Sequence, residues 1–167
     1  MTYSTDFITK NIPLTWSDVL WGYEKQLIGW RVPIEIANVR LKTDTSFDLL
    51  EFELAGVQKD QDWKVGQIIE ELSRKEAIPK LVSKEKWLFL TLLWLYENQD
   101  SIEGSLRKVE EVYANFDYPE EIVAFVNFMG PSNGYDTTSH TLSENQNKMM
   151  ENWKDYLDKT RARLSDI

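Results

Sequence analysis

The sequence predicts an all-α domain. Apolar residues recur at three- and four-residue spacing through most segments between Thr15 and Leu164, Ser, Thr or Asp stands where most of the helix N-caps would sit, and Gly or Pro follows several of the segments. Only residues 32–54 also carry the alternation of a strand pair.

The elements follow in order. Thr15-Trp16-Ser17-Asp18 has the form of a capping box with Asp in place of Glu, and Trp16, Leu20, Tyr23 and Leu27 continue one face of a helix to near Gly29. Pro33 suits the first turn of a second helix, which Ile36 and Val39 carry to about Leu41. Asp44 or Ser46 caps a third through Phe47, Leu50 and Leu54 to Gly56. Ile34-Glu35-Ile36 and Leu50-Glu51-Phe52-Glu53-Leu54 alternate, however, so an α+β fold with a small hairpin in residues 32–54 is the competing expectation. After a loop from Gly56 to Gln61, Asp62 caps a helix striped by Val65, Ile68, Ile69 and Leu72.

Beyond Pro79, Ser83 caps the most apolar element, in which Trp87 to Tyr96 are apolar nearly all round, as in a helix at the centre of a bundle. That stretch is about half of what a helix needs to cross a bilayer. Ser101 starts the next helix, whose Ile102, Leu106, Val109, Tyr113 and Phe116 fall within about 80° of one another at 100° per residue. Pro119, followed by Glu120 and Glu121, opens another that carries Ile122, Phe125, Val126 and Met129 and stops at Gly130-Pro131. Residues 130–142 read as the longest loop. Ser143 then caps a last helix with Met149, Met150, Trp153, Tyr156, Leu157 and Leu164 inward. With no internal repeat and no linker, the expected architecture is a single domain over residues 1–167, a compact bundle of about seven helices.

Composition narrows the function. A hydrophobic fraction of 42% with seven each of Trp, Tyr and Phe gives ample material for a core. The absence of cysteine excludes disulfides, thiolate metal sites and a cysteine nucleophile, and fits a reducing compartment. Met1 to Asp6 lack the basic and apolar regions of a signal peptide, so the expected location is the cytoplasm, with no membrane partner. A net charge of −9 opposes binding to nucleic acid.

Catalytic patterns are sparse. His140 is the single histidine, so a histidine metal triad cannot form, and no nucleophile elbow accompanies it; a solvated loop position is expected. The glycines form neither a phosphate cradle nor a dinucleotide fingerprint. Glu70-Glu71, Glu110-Glu111 and Glu120-Glu121 are neighbours that point about 100° apart on a helix, which suits solvated faces. Trp16, Trp87, Trp94 and Trp153 lie on apolar stripes and are expected in the core, whereas Trp30, beside Arg31, and Trp63, between Asp62 and Lys64, are candidates for exposure. No catalytic residue, cofactor or metal is assigned. The reading left open beside this one is a small-ligand protein or enzyme with a carboxylate-lined pocket between helices, using His140.

The charge is concentrated. Residues 97–121 carry 8 acidic and 2 basic side chains, two-thirds of the net charge. With the apolar stripe inward, Glu103, Glu110 and Glu111 fall on the outer flank of the helix, and Asp117, Glu120 and Glu121 follow at the next helix start. These six residues are the candidate partner-binding site, an electrostatic landing surface for a basic protein. The plainer account is an i,i+4 pair of Glu103 with Arg107, and Glu120 and Glu121 complementing a helix N-terminus.

Val112-Tyr113-Ala114-Asn115-Phe116-Asp117-Tyr118-Pro119-Glu120-Glu121-Ile122, then Phe125-Val126-Asn127-Phe128-Met129, resemble a bacterial domain-of-unknown-function family of small helical proteins. Glu53-Leu54-Ala55-Gly56 and Trp16 to Gly22 are similar as well. The resemblance implies a bacterial, mostly helical protein and carries over no functional residue. Some small acidic families of this kind are immunity proteins that neutralise a toxin made by the same cell. The expected function is therefore non-enzymatic binding of a basic protein partner, of which such a toxin is the concrete case.

Overall fold

A computed structural model describes residues 1–131 and 134–166. Among the described residues there is no strand, and eight α-helices account for most of the chain. They are α1 (Thr5–Asn11), α2 (Trp16–Glu24), α3 (Arg31–Thr43), α4 (Leu49–Ala55), α5 (Trp63–Glu76), α6 (Lys80–Glu97), α7 (Ile102–Asn115) and α8 (Leu142–Ser165). Two compact units divide the chain, Met1–Trp87 and Leu88–Ile167. No helix among the described residues is long and apolar enough to cross a membrane.

The all-α expectation holds, and the hairpin alternative does not: residues 32–54 lie in α3 and α4, which pack against each other. The alternation at Leu50–Leu54 is satisfied helically. Leu54 is fully buried, Glu51 is buried beside Arg40 and Trp16, and Phe52 stays 64% exposed. Asp48, rather than Asp44 or Ser46, caps α4, accepting the Leu50 N–H at 2.9 Å and the Lys75 ammonium at 2.6 Å. Both bonds favour the charged form, the Lys75 bond first, and hold the Asp48 carboxyl below its usual range.

A depressed folded-state value means that Asp48 contributes stability above the unfolded carboxylate range and loses it as pH falls through the lower, folded value. Asp48→Ala is expected to cost about 1 kcal/mol at neutral pH through the lost cap. The gap from the parent should close below about pH 4. Urea unfolding at both pH values checks this; a gap that persists in acid would assign the loss to something other than the carboxylate.

In the first unit, α2 packs on α5, and α4 packs on α3 and α5. The capping box at Thr15 and Asp18 is complete in both directions. α1 has no counterpart in the sequence reading; Ser4 caps it, and Ile8 is buried while Thr5 donates its hydroxyl to Glu35. Two further caps differ from expectation. Asp62 makes no side-chain cap bond because a 3-10 turn, Lys59–Gln61, leads into α5 with Asp62 already helical. Ser83 lies inside α6, which begins directly after Pro79, and its hydroxyl is turned to Asp18.

The second unit is built on the C-terminal part of α6 with α7 and α8. Its core includes Phe89, Leu92, Leu106, Val109, Phe125, Trp153 and Leu157. Phe125 and Trp153 stack at 6.0 Å with nearly parallel rings. The segment after Pro119 is a 3-10 helix, Glu120–Phe125, instead of the expected α-helix. Its buried pair, Ile122 and Phe125, is three residues apart, the spacing that eclipses in a 3-10 helix. α8 starts two residues earlier than a cap at Ser143 implies, because Thr141 and Glu144 form a reciprocal capping box. The expected 130–142 loop contains a 3-10 turn, Thr137–Ser139, and residues 132–133 lie outside the described residues.

Candidate protein-binding surface

α7 ends in a Schellman motif. The Tyr118 N–H reaches back to the Tyr113 carbonyl at 2.8 Å, and the Asp117 N–H reaches the Ala114 carbonyl at 3.3 Å. The motif needs a left-handed residue past the helix end, a place Gly usually fills. Here Asp117 takes it with φ 59°, and Tyr118 follows at φ 58°. Asp tolerates this region, whereas a tyrosine is strained there by about 1–2 kcal/mol.

The side-chain contact that accompanies the motif is aromatic. The Tyr118 ring meets the buried Tyr113 edge-on at 5.3 Å, and Phe128 meets the same ring at 5.9 Å. Tyr118 and Phe128 are each 63% exposed and Met129 is 50% exposed. Met129 was expected on an inward stripe; with the preceding segment 3-10 rather than α, it falls outside the core. Two exposed rings therefore share one buried neighbour at the carbonyl end of α7.

The candidate acidic residues lie along α7 and just past it. Glu103 and Glu110 lie two turns apart on one flank of α7, about 10 Å along its axis, and Glu111 is adjacent to Glu110. Glu103, Glu111, Asp117, Glu120 and Glu121 are exposed, and Glu110 is half-buried. Glu103 pairs with Arg107 at 3.5 Å, as the plainer account expects, and Asp100 with Lys108 at 3.6 Å. Among the described residues, Glu110, Glu111, Glu120 and Glu121 form no ion pair. Glu120 and Glu121 sit in the first turn of the 3-10 helix, directly after Tyr118-Pro119. The last turn of α7 has no basic residue, and Asp117 stands past its carbonyl end, where the helix dipole disfavours an anion. Residues 88–167 carry 14 acidic and 7 basic side chains, seven of the nine excess negative charges.

The left-handed Asp117 gives a direct test of whether this region is built for stability. Asp117→Gly relieves the backbone and removes an anion from the dipole's negative end, so it is expected to raise stability by about 1 kcal/mol in urea unfolding. An unchanged or lower midpoint would show that the Asp117 side chain supports the motif.

The other ionisable clusters have different surroundings. Asp18 is wholly buried and accepts Ser83 Oγ at 2.7 Å, Lys86 Nζ at 2.7 Å and the Thr15 N–H at 2.8 Å. Ser83 and Lys86 have the spacing of a serine activated by a lysine, but both donate to Asp18, and Ser83 is 1% exposed. Glu51 accepts Trp16 Nε1 at 2.6 Å and Arg40 at 3.3 Å, and Glu76 accepts the Trp16 and Ser17 N–H groups at 2.8 Å each. Each carboxylate is thus occupied by internal donors. A groove of about 170 Å³ bordered by Ile8, Ile12, Ile36, Val39 and Arg40 has no carboxylate in its lining.

His140 is exposed. Its Nδ1 donates to the Asp136 carbonyl at 2.8 Å, and its ring stacks on Tyr135 at 4.6 Å. The Asp136 carboxylate instead accepts the Thr138 hydroxyl and N–H, which hold it below the usual range. Among the described residues no group of three His, Asp or Glu is placed to hold a metal ion. Trp63 is 63% exposed, with Lys64 over its ring, and Trp30 is half-buried with Arg31 over its ring.

Among the described residues the protein is all-α, with exposed acidic and aromatic side chains between Glu103 and Met129. The chain belongs to the family described as an uncharacterized protein conserved in bacteria (DUF2247), whose match covers residues 4–161. The resemblance read around Tyr113–Met129 thus extends over nearly the whole chain. No curated protein and no solved structure matches it.

Proposed function

We propose that this protein is a non-enzymatic binding module for a basic protein partner, and that it acts in the cytoplasm as an immunity protein covering the basic active site of a toxin such as a nuclease. The observation that carries the reading is the exposure of Tyr118, Phe128 and Met129 in the same stretch of chain as Glu110, Glu111, Glu120 and Glu121, which form no ion pair among the described residues. Aromatic side chains supply interface anchors, and surrounding like charges speed encounter with a basic partner. A tyrosine with a left-handed backbone works against stability, which fits a residue kept for contact.

Replacing Glu110, Glu111, Glu120 and Glu121 together by Lys is expected to abolish binding. The measurement is capture of a basic protein from the host lysate on the tagged parent and on the variant, at low and at high salt, followed by co-expression of the captured protein to ask whether the parent alone relieves its toxicity. Capture by the variant equal to that by the parent at low salt would overturn the acidic-face reading. Capture without relief of toxicity would overturn the immunity role.

A further inference from the structure

We infer that the first unit binds a small zwitterion of the α-amino-acid class in a cavity between α2, the end of α5 and the start of α6, its ammonium held by serine hydroxyls and Glu24 and its carboxylate by Lys80. The inference is independent of the acidic face, whose residues belong to the other unit. The cavity holds about 90 Å³, room for a ligand of a few non-hydrogen atoms, and Ser17, Trp21, Glu24, Ser73, Lys80 and Ser83 are in its lining. Its origin is local. Trp21 and Glu24 stand four and seven residues after Ser17, on one face of α2, and α2 packs on α5, which brings Ser73. Lys80 and Ser83 share a face of the first turn of α6. Small side chains at Ser17 and Ser73 leave the gap open where a larger pair would close it.

The hydrogen bonds of the serines decide what the cavity can take. Ser83 and Ser17 are buried, 1% and 9% exposed, so their hydroxyl protons go to internal partners. Ser83 donates to Asp18 at 2.7 Å and Ser17 to Glu76 at 3.0 Å. Ser73 Oγ is 3.0 Å from Ser17 Oγ and is the donor of that pair, because the Glu76 carboxylate is the stronger acceptor for the Ser17 proton. A hydroxyl has one proton, so all three are spent inside the protein, and these serines can offer a ligand lone pairs alone. Glu24 adds a further acceptor. Such a wall selects a donor-rich group, and a primary ammonium brings three N–H donors. Lys80 borders the same cavity, yet neither it nor Glu24 forms an ion pair, with the other or with any of the described residues. A simple cation would therefore meet the charge of Lys80, and a simple anion would meet Glu24 and the lone pairs. A zwitterion gives both charges a partner.

The test titrates the full chain calorimetrically with L-alanine and, in parallel, with ethylamine and propionate, which are alanine without its carboxylate and without its ammonium. L-alanine is expected to bind saturably with a Kd of about 1 mM or tighter, a modest affinity for so small a ligand, and each fragment at least about tenfold more weakly. Glu24→Gln and Lys80→Met, both at exposed positions, should each weaken alanine about tenfold and leave the urea unfolding midpoint unchanged. No saturation by about 10 mM alanine would overturn the inference. Ethylamine or propionate binding as tightly as alanine would overturn it too, by showing that the site does not read both charges. Alanine affinity unchanged in both variants would do the same, by placing the bound ligand elsewhere on the chain.

Discussion

Asp18→Ala is expected to destabilise the first unit by about 3–5 kcal/mol. Asp18 has no exposed surface and accepts three hydrogen bonds, from Ser83, Lys86 and the Thr15 backbone. Removing it leaves a Lys86 ammonium that is 3% exposed and has, among the described residues, the Pro13 carbonyl at 3.4 Å as its remaining hydrogen-bond partner. The uncompensated charge, not the net worth of the ion pair, sets the size of the effect. That gives a second, sharper expectation. Lys86→Met removes the stranded charge and keeps most of the apolar stem, so adding it to Asp18→Ala should recover part of the loss. A non-additive cycle in urea unfolding, with the double variant more stable than the Asp18→Ala variant, supports the account. A loss under about 1 kcal/mol for Asp18→Ala would show that water reaches Lys86 and that the pair is not a structural element of the core.

The same residue shows where the sequence is informative and where it is not. Asp18 is legible as the third member of a capping box, because Thr15 and Asp18 are local partners. Its ties to Ser83 and Lys86 join residues more than 60 positions apart, which no periodicity reports. For the same reason Ser83 looks like a cap when read locally. α1 escapes notice because seven residues are too few to establish a stripe, and its Ile8 is buried by tertiary packing.

The candidate surface divides along the same line. Its charges are largely legible because formal charge and an amphipathic helix fix Glu103 and Glu111 outward from α7, with Glu110 half-buried at the edge of the stripe. Its aromatic part is not, since Tyr118 and Phe128 each reach Tyr113 while staying exposed only through the left-handed turn at Asp117 and the short 3-10 segment that follows. Asp117-Tyr118-Pro119 did contain a usable signal: a proline shortly past a helix end, with an aromatic five residues after Tyr113, is the pattern of this C-terminal motif.

Gly22→Ala carries the second large effect, and its sign runs against helix propensity. In the interior of a helix such as α2 the substitution ordinarily stabilises by about 0.5–1 kcal/mol. Here a Cβ on Gly22 would lie 2.2 Å from Cζ2 and 2.5 Å from Cε2 of Trp87. Trp87 cannot easily retreat: it is wholly buried, it packs against Tyr3, and its Nε1–H donates to the Asp18 carbonyl at 2.7 Å. Accommodating one methyl therefore means moving α2, displacing the indole, or breaking that hydrogen bond. Overpacking and the lost bond together should outweigh propensity and leave a net loss of about 2–4 kcal/mol. Trp87→Phe withdraws the atoms that clash, so in a double-mutant cycle the cost of Gly22→Ala should shrink when Trp87 is already Phe. If Gly22→Ala raises the unfolding midpoint instead, α2 and the indole are free to separate, and the close approach that Gly22 permits is not what fixes the packing of α2 on α6.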